Sequence, residues 1–244
     1  MSQNPASRPV LAVVGAGPGI GEATARRFVA EGFTVALLAR TASTLETMAS
    51  GIETDFGPST ARYYITDLRT ESDVISSFSK IQHELGPVSV LVYNAGARRV
   101  NGRSVLETSS EEFENFTKIN LFGAFWATKA VLPDMLAAAK GTILFTGATG
   151  SLRGSAGLSS FSPGKFGLRS LAQIVTREYQ AKGIHAAHMV IDGPVDGKLI
   201  GGWTRRKWQK EGEEEKLREV ERWVMQPKDL AGIYWYLYTQ PRST

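Results

Sequence analysis

The chain has 244 residues, 42% of them apolar, and a formal net charge of +4. That is enough apolar content for the core of one large domain, and the scattered basic residues argue against a nucleic-acid surface. Cysteine is absent, which excludes disulfides, thiolate metal sites and a cysteine nucleophile. No apolar run approaches the length of a membrane span, and the opening MSQNPASRPV lacks the apolar core of a secretory signal. A soluble, cytoplasmic protein with no nucleic-acid or membrane partner is therefore expected.

VLAVVGAG (Val10 to Gly17) reads as a buried strand entering a glycine turn, and GEATARRFVAEG as a helix ending at Gly32. TVALLAR, ARYYITD, VSVLVYNAG, GTILFTGAT and IHAAHMVID supply strands two to six. Helical stretches lie between them, including Ser72–Leu85, Ser110–Leu136 and Ser162–Lys182. Strands rich in Val, Ile and Leu that alternate with helices imply βαβ units and a parallel sheet. Right-handed crossovers then give an α/β, Rossmann-type doubly wound sheet of six to seven strands with helices on both faces. Neither a repeat nor a low-complexity linker interrupts residues 1–244, so a single domain is expected. His185 and His188, three apart in strand six, point to opposite faces, and with His83 they lack metal-ligand spacing.

Beyond strand six the sequence becomes highly charged. In GGWTRRKWQKEGEEEKLREVERWV, residues Leu217, Val220 and Val224 share one helical stripe bordered by Trp223. This segment, 198–226, either packs a solvated helix on the core or covers a substrate pocket as a lid. Trp203, Trp208 and Trp223 would give such a lid a large apolar surface suited to a bulky substrate.

The glycine turn carries the first chemical signal. GAGPGIG places Gly15, Gly17, Gly19 and Gly21 between a strand and a helix. Gly15 permits the tight turn, Gly19 lets backbone approach a pyrophosphate, and Gly21 allows close helix–strand packing. The helix N-terminus that begins around Ile20 offers free N–H groups to phosphate oxygens. Strand two ends in LLARTAS, with Ala39 and Arg40 where a binder of NAD would place a carboxylate. A guanidinium pairs instead with a 2′-phosphate through two hydrogen bonds, so NADP(H) is the expected cofactor.

These motifs, with TDL at Thr66 to Leu68, NAG at Asn94 to Gly96, Asn120 in KINLFGAF and Lys165, make the chain resemble the short-chain dehydrogenase/reductases over nearly its whole length. The resemblance implies Asp67 and Leu68 beside the adenine, Asn94, Ala95 and Gly96 along the cofactor cleft, and Asn120 with Lys165 near the nicotinamide ribose. It also implies Gly193 and Val195 at the cofactor, and a homodimer or homotetramer built on the helices that carry Asn120 and Pro163. The family's active residues are Asn, Ser, Tyr and Lys. Here the serine position falls at Ala148 and the tyrosine position at Phe161. Val14 replaces a common Thr before the glycine turn. In DGPVDG, Asp192 and Gly197 replace a Pro and a Thr. Relatives usually add a seventh strand after a helix corresponding to DLAGIYWYLYTQ, and this chain stops soon after it.

Without the tyrosine proton and the serine hydrogen bond, ordinary ketone reduction is expected to be slow, because a positioned general acid is typically worth roughly 10²–10⁴ in rate. Three readings follow. The first is a reductase for an activated C=N, C=O or C=C bond. An iminium carbon takes hydride without needing a proton, and Asp192 or Asp196 could balance its charge. The second is a substitute donor, drawn from Thr149, Ser151, Ser159, Ser160 or Ser162, or an oxyanion-holding Arg98 or Arg153. The third is a non-catalytic NADP(H)-binding sensor or partner protein, or a homologue that guides a cyclisation. The leading expectation is the unusual reductase, with Asn120, Lys165, Asp192, Asp196, Arg98 and Arg153 as its polar groups.

Overall fold

The structure is a computed structural model, and it describes residues 8–97, 102–197, 215, 218, 222 and 224–241. Six parallel strands form one sheet: β1 (Val10–Val14), β2 (Thr34–Ala39), β3 (Ala61–Ile65), β4 (Val88–Tyr93), β5 (Gly141–Ala148) and β6 (Ile184–Ile191). Their spatial order is β3-β2-β1-β4-β5-β6, the doubly wound arrangement whose strand order reverses between β1 and β4. A crevice opens at such a switch point, outside the carboxyl ends of the strands.

The strand sequences explain their places. All five residues of VLAVV are buried, as a central strand covered on both faces requires. ARYYI, at the edge of the sheet, buries only Ala61 and Tyr64. Along β1, Leu11 and Val13 enter one core while Val10, Ala12 and Val14 enter the other. The second of these cores packs against α3 (Glu71–Leu85), α5 (Gly123–Ala137) and α6 (Phe161–Tyr179). The first packs against α1 (Ile20–Ala30), α2 (Ala42–Phe56) and the C-terminal helix α7 (Pro227–Thr239). Among the described residues the sheet has six strands, the lower of the two expected counts.

One departure from the sequence reading concerns the helix expected over Ser110–Leu136. It is α4 (Ser110–Thr117), a π turn over Lys118–Phe122, and then α5. Within the turn, Gly123 donates to the Lys118 carbonyl, and the Tyr93 hydroxyl donates to the neighbouring Ile119 carbonyl. A Cβ at Gly123 would lie 2.5 Å from the Tyr93 oxygen, so the glycine lets strand and π turn meet. π turns of this kind frequently mark functional sites, and this one carries Asn120.

Of the expected lid, Leu217, Val220 and the three tryptophans lie outside the described residues. Glu215, Arg218 and Arg222 are helical and exposed, and Val224 is buried. The two ends of the segment are joined by a short parallel bridge, with Asp196 N–H donating to Met225 O at 2.9 Å and Met225 N–H to Pro194 O at 3.0 Å. No described helix is long and apolar enough to cross a membrane.

Candidate functional site

Each strand delivers its candidate residues at its carboxyl end: Gly15–Gly19 after β1, Arg40 after β2, Asp67 and Leu68 after β3, Asn94–Gly96 after β4, Ala148 at the end of β5, and Asp192–Val195 after β6. The glycine turn and the NAG loop are locked together. Asn94 N–H donates to Val14 O at 2.8 Å, and its side-chain amide donates to Gly15 O at 3.0 Å. Gly15 has φ +83°, and a Cβ there would lie 2.5 Å from the Ala95 backbone. Gly21 holds the helix close to the turn, since its Cβ would meet Ala16 Cα and Gly15 O at 3.0 Å. Gly17 and Gly19, by contrast, face open space, with no atom within 4 Å of a Cβ at either position. No side chain caps α1, which leaves its N-terminus available to an anion.

These contacts set an expected result. Gly15→Ala meets both an unfavourable φ and backbone atoms that cannot retreat, so it should cost roughly 3 kcal/mol or more of stability in denaturant unfolding. Gly17→Ala should change stability by less than about 0.5 kcal/mol. Equal losses would contradict the packing described here.

One end of the site is a cleft of about 360 Å³ lined by Arg40, Arg69, Ala97, Arg103, Ile119 and neighbouring residues of α4. Arg40 is exposed at its mouth. Arg69 grips Asp67, with Nε at 2.9 and 3.0 Å from its two oxygens and a guanidinium nitrogen at 2.5 Å. These hydrogen bonds hold the Asp67 carboxyl below its ordinary range against a partial burial that opposes them, and Arg40 adds a weaker pull. Arg103 pairs with Glu112 at 2.6 Å, and the Ser160 hydroxyl donates to the same carboxylate at 3.0 Å. The sequence reading missed Arg69, although it directly follows TDL. It also missed Arg103, whose partners come from distant segments and leave no local signal.

At the other end, Asn120 is fully buried in the π turn. Its amide donates to Phe116 O at 2.9 Å, and its Oδ1 has no hydrogen-bond partner. Gly96 and Gly164 flank it, with Cβ positions 3.8 Å from Oδ1 and 3.1 Å from Cβ of Asn120. Lys165, one residue further along α6, is 5% exposed and donates to Thr146 O at 2.9 Å. Contacts thus run from Gly15 through Ala95, Gly96, Asn120 and Gly164 to Lys165, and return through Thr146 and Asn94.

Burial pushes the Lys165 ammonium down to about 8. Because its folded pKa is below the unfolded value of 10.5, the native state sheds this proton first. Stability from this group is therefore greatest above the unfolded value and is lost as pH falls through the folded one. Wild-type protein should gain roughly 3 kcal/mol between pH 8 and 10.5 from Lys165, and Lys165→Met should flatten that slope in pH-dependent unfolding. An unchanged slope would show that the lysine is hydrated in solution. His188, on the same face of β6, is driven down to about 4 by its burial and by the Lys165 and Arg169 charges. His185 faces α7 on the other side, where its ring meets the Leu237 backbone, so the two histidines do point apart.

Phe161 opens α6 one turn before Lys165, and its half-buried ring lies 2.9 Å from where a Gly150 Cβ would stand. The expected substitute donors are mostly committed. The Ser151 hydroxyl accepts the Ala148 N–H at 3.2 Å, Thr149 donates to Asp192, Ser159 shares a short hydrogen bond with Thr108, and Ser160 serves Glu112. Ser162 Oγ is buried without a partner, but it lines a groove of about 630 Å³ between α4 and α6 with Phe113, Pro163 and Phe166. Asp192 stands exposed beside the end of β5, and Arg153 is exposed after the 3₁₀ turn Thr149–Ser151. Asp196 is half-buried at the Met225 bridge. Arg98 lies outside the described residues.

The residues fit a dinucleotide on three counts: an uncapped helix N-terminus behind two glycines with open space in front, an arginine-lined cleft at one end, and a buried Asn120 oxygen beside Lys165 at the other.

Comparison with known proteins agrees with this geometry. Residues 9–206 match the family described as short chain dehydrogenase. A short-chain dehydrogenase/reductase of Armillaria gallica is 32% identical over 187 residues, 76% of this chain and 70% of that protein. Among solved structures, a short-chain dehydrogenase from Rhodopseudomonas palustris is 33% identical with a TM-score of 0.78, covering 97% of this chain and 94% of its own. Actinorhodin polyketide ketoreductase, solved with NADPH, is 28% identical with a TM-score of 0.84, covering 97% of this chain and 93% of its own.

Proposed function

The chain belongs to the short-chain dehydrogenase family, an oxidoreductase family, and from that premise we propose that it is an NADPH-dependent reductase for a substrate that needs no proton from the protein. The carrying observation is the hydrocarbon ring of Phe161, set on the helical face of Lys165 and one turn ahead of it, where the family places a tyrosine. Ala148, at the family's serine position, ends β5 with a methyl group. When bound, NADPH supplies hydride to the substrate carbon. An iminium carbon that accepts hydride becomes a neutral amine, so no oxygen needs protonation. Asp192, exposed at the end of β6, would balance the positive charge before transfer.

The glycine turn and the α1 N-terminus would hold the pyrophosphate, Arg40 the 2′-phosphate, Asp67 the adenine, and Lys165 with Asn120 the nicotinamide ribose. The ketoreductase solved with NADPH supports the choice of cofactor. Arg98, Arg153, Asp196, Gly193 and Val195 are assigned to the substrate and nicotinamide side of the crevice. Assembly as a dimer or tetramer would cover Phe122, Phe125 and Phe166, each between 42% and 46% exposed on the helices around Asn120 and Pro163. Sedimentation velocity tests that assignment.

Titration with NADPH and, separately, NADH, followed by nicotinamide fluorescence, tests the function. Binding that prefers NADPH, followed by faster turnover of cyclic imines than of matched ketones, is the expected result. Binding of neither cofactor would remove the reductase reading. Binding without turnover of imines, enones or ketones would favour the sensor reading, because every group assigned to the cofactor would then be intact while the hydroxyls of the chemistry are gone.

A further inference from the structure

Tyr234 is a fully buried tyrosine on α7, on the opposite side of the sheet from Lys165. Its hydroxyl shares a short hydrogen bond with Thr146 Oγ1, and that same oxygen donates to Asn94 Oδ1 at 3.2 Å. A threonine hydroxyl has one proton. Since it goes to Asn94, Tyr234 must be the donor to Thr146. Accepting at Oδ1 also fixes the orientation of the Asn94 amide, so that its NH₂ faces Gly15 O at 3.0 Å. The order of donation is therefore Tyr234 to Thr146 to Asn94 to the Gly15 carbonyl. Thr146 is a node as well, since its own carbonyl accepts from Lys165 at 2.9 Å.

We infer that Tyr234 is a positioning residue for the cofactor site, acting from the C-terminal helix through Thr146 to set the glycine turn. Packing alone does not call for it. A phenylalanine would fill the same space against the β-sheet without a buried hydroxyl to satisfy. The hydroxyl begins a chain whose every member is buried or part-buried and whose end is the tightest residue of the turn. Gly15 has no freedom to reorient by itself, because it is pressed against Ala95 and its N–H is held by Leu38 O at 2.8 Å. A change at Tyr234 would therefore reach the whole Gly15–Gly19 segment. The consequence for binding rests on the NADPH reading above; the consequence for the turn does not.

The test uses the full chain with Tyr234→Phe, Thr146→Val, Thr146→Ser and the Tyr234→Phe/Thr146→Val pair. Hydrogen exchange is measured on the free protein and NADPH affinity by fluorescence. In Tyr234→Phe, amides of peptides covering residues 10–22 should exchange about 3–10-fold faster, the loss typical of one hydrogen bond, while those of α3 stay unchanged. NADPH should bind about 3–10-fold more weakly to Tyr234→Phe and to Thr146→Val. The double variant should be no weaker than the worse single one, since both break one chain. Thr146→Ser, which keeps the hydroxyl, should behave like wild type. Unchanged exchange over residues 10–22, uniform acceleration across the sheet, or additive losses would overturn the inference. If wild-type protein binds neither cofactor, the NADPH reading fails and the exchange result alone decides the role of Tyr234.

Discussion

Phe161→Tyr is expected to raise NADPH-dependent reduction of a small ketone by roughly 10²-fold, the lower end of what a positioned general acid contributes. Two features of the site favour this outcome. The new hydroxyl would extend a ring that is already half-buried and held at the start of α6. It would also share a helical face with Lys165, whose ammonium is fixed by the Thr146 carbonyl and would lower the phenol's pKa. The oxygen-binding partner would still be absent at Ala148. Ala148→Ser alone should give little ketone reduction, and the double variant should exceed Phe161→Tyr by roughly a further 10-fold or more. Reduction of a substrate already in its iminium form should change by less than about 3-fold in all three, because hydride converts it to a neutral amine with no proton transferred. Steady-state rates with a ketone and an imine of matched shape decide it. Should Phe161→Tyr with Ala148→Ser leave ketone reduction at its starting level, the proposed correspondence of these two positions would be wrong.

The second large effect lies at the other end of the crevice. Arg40→Asp should weaken NADPH binding by roughly 10²-fold, since a bidentate, charge-assisted contact is lost and a like charge takes its place. NADH, which has no 2′-phosphate, should bind as well as before or better, because a carboxylate after β2 can accept from the ribose 2′-hydroxyl. Arg69 provides the control. Its guanidinium is committed to both oxygens of Asp67, so Arg69→Gln should weaken the two cofactors by similar factors through the adenine side. Equal losses of NADPH and NADH in Arg40→Asp would remove 2′-phosphate recognition from that residue and point to Arg69 or Arg103, which line the same cleft. Salt should weaken NADPH more than NADH for the same electrostatic reason.

Much of the fold was legible because its signals are local. The six Val/Ile/Leu-rich runs all became strands, and the helix expected from Ser162 to Lys182 appears as α6 with a 3₁₀ turn ending at Lys182. The glycines of the turn after β1 carry their reason in their spacing. Gly21, expected to permit helix–strand packing, brings the helix instead against Ala16 and Gly15 of the turn itself. Gly15 does more than its motif announces, since it also admits the backbone of Ala95. The π turn around Asn120 was not legible, because it depends on a tyrosine from β4 reaching a carbonyl in another element. Of the serines weighed as substitute donors after β5, Ser159 and Ser160 have partners, Thr108 and Glu112, that only the fold brings near.

The sequence by itself determined the order of strands and helices, the location of the glycine turn after β1, the arginine at the end of β2, and the presence of Ala148 and Phe161 at the positions the proposal compares with a serine and a tyrosine. Periodicity and turn chemistry act over a few residues, so they are written where they act. The tertiary structure alone decided which polar groups are spent and which remain. It paired Thr149 with Asp192 and Lys165 with the Thr146 carbonyl, and it carried Tyr234 to Thr146 across 88 positions of chain. A hydrogen bond depends on distance in space and on the competing partners that burial removes. Neither quantity exists until the sheet has closed its two cores.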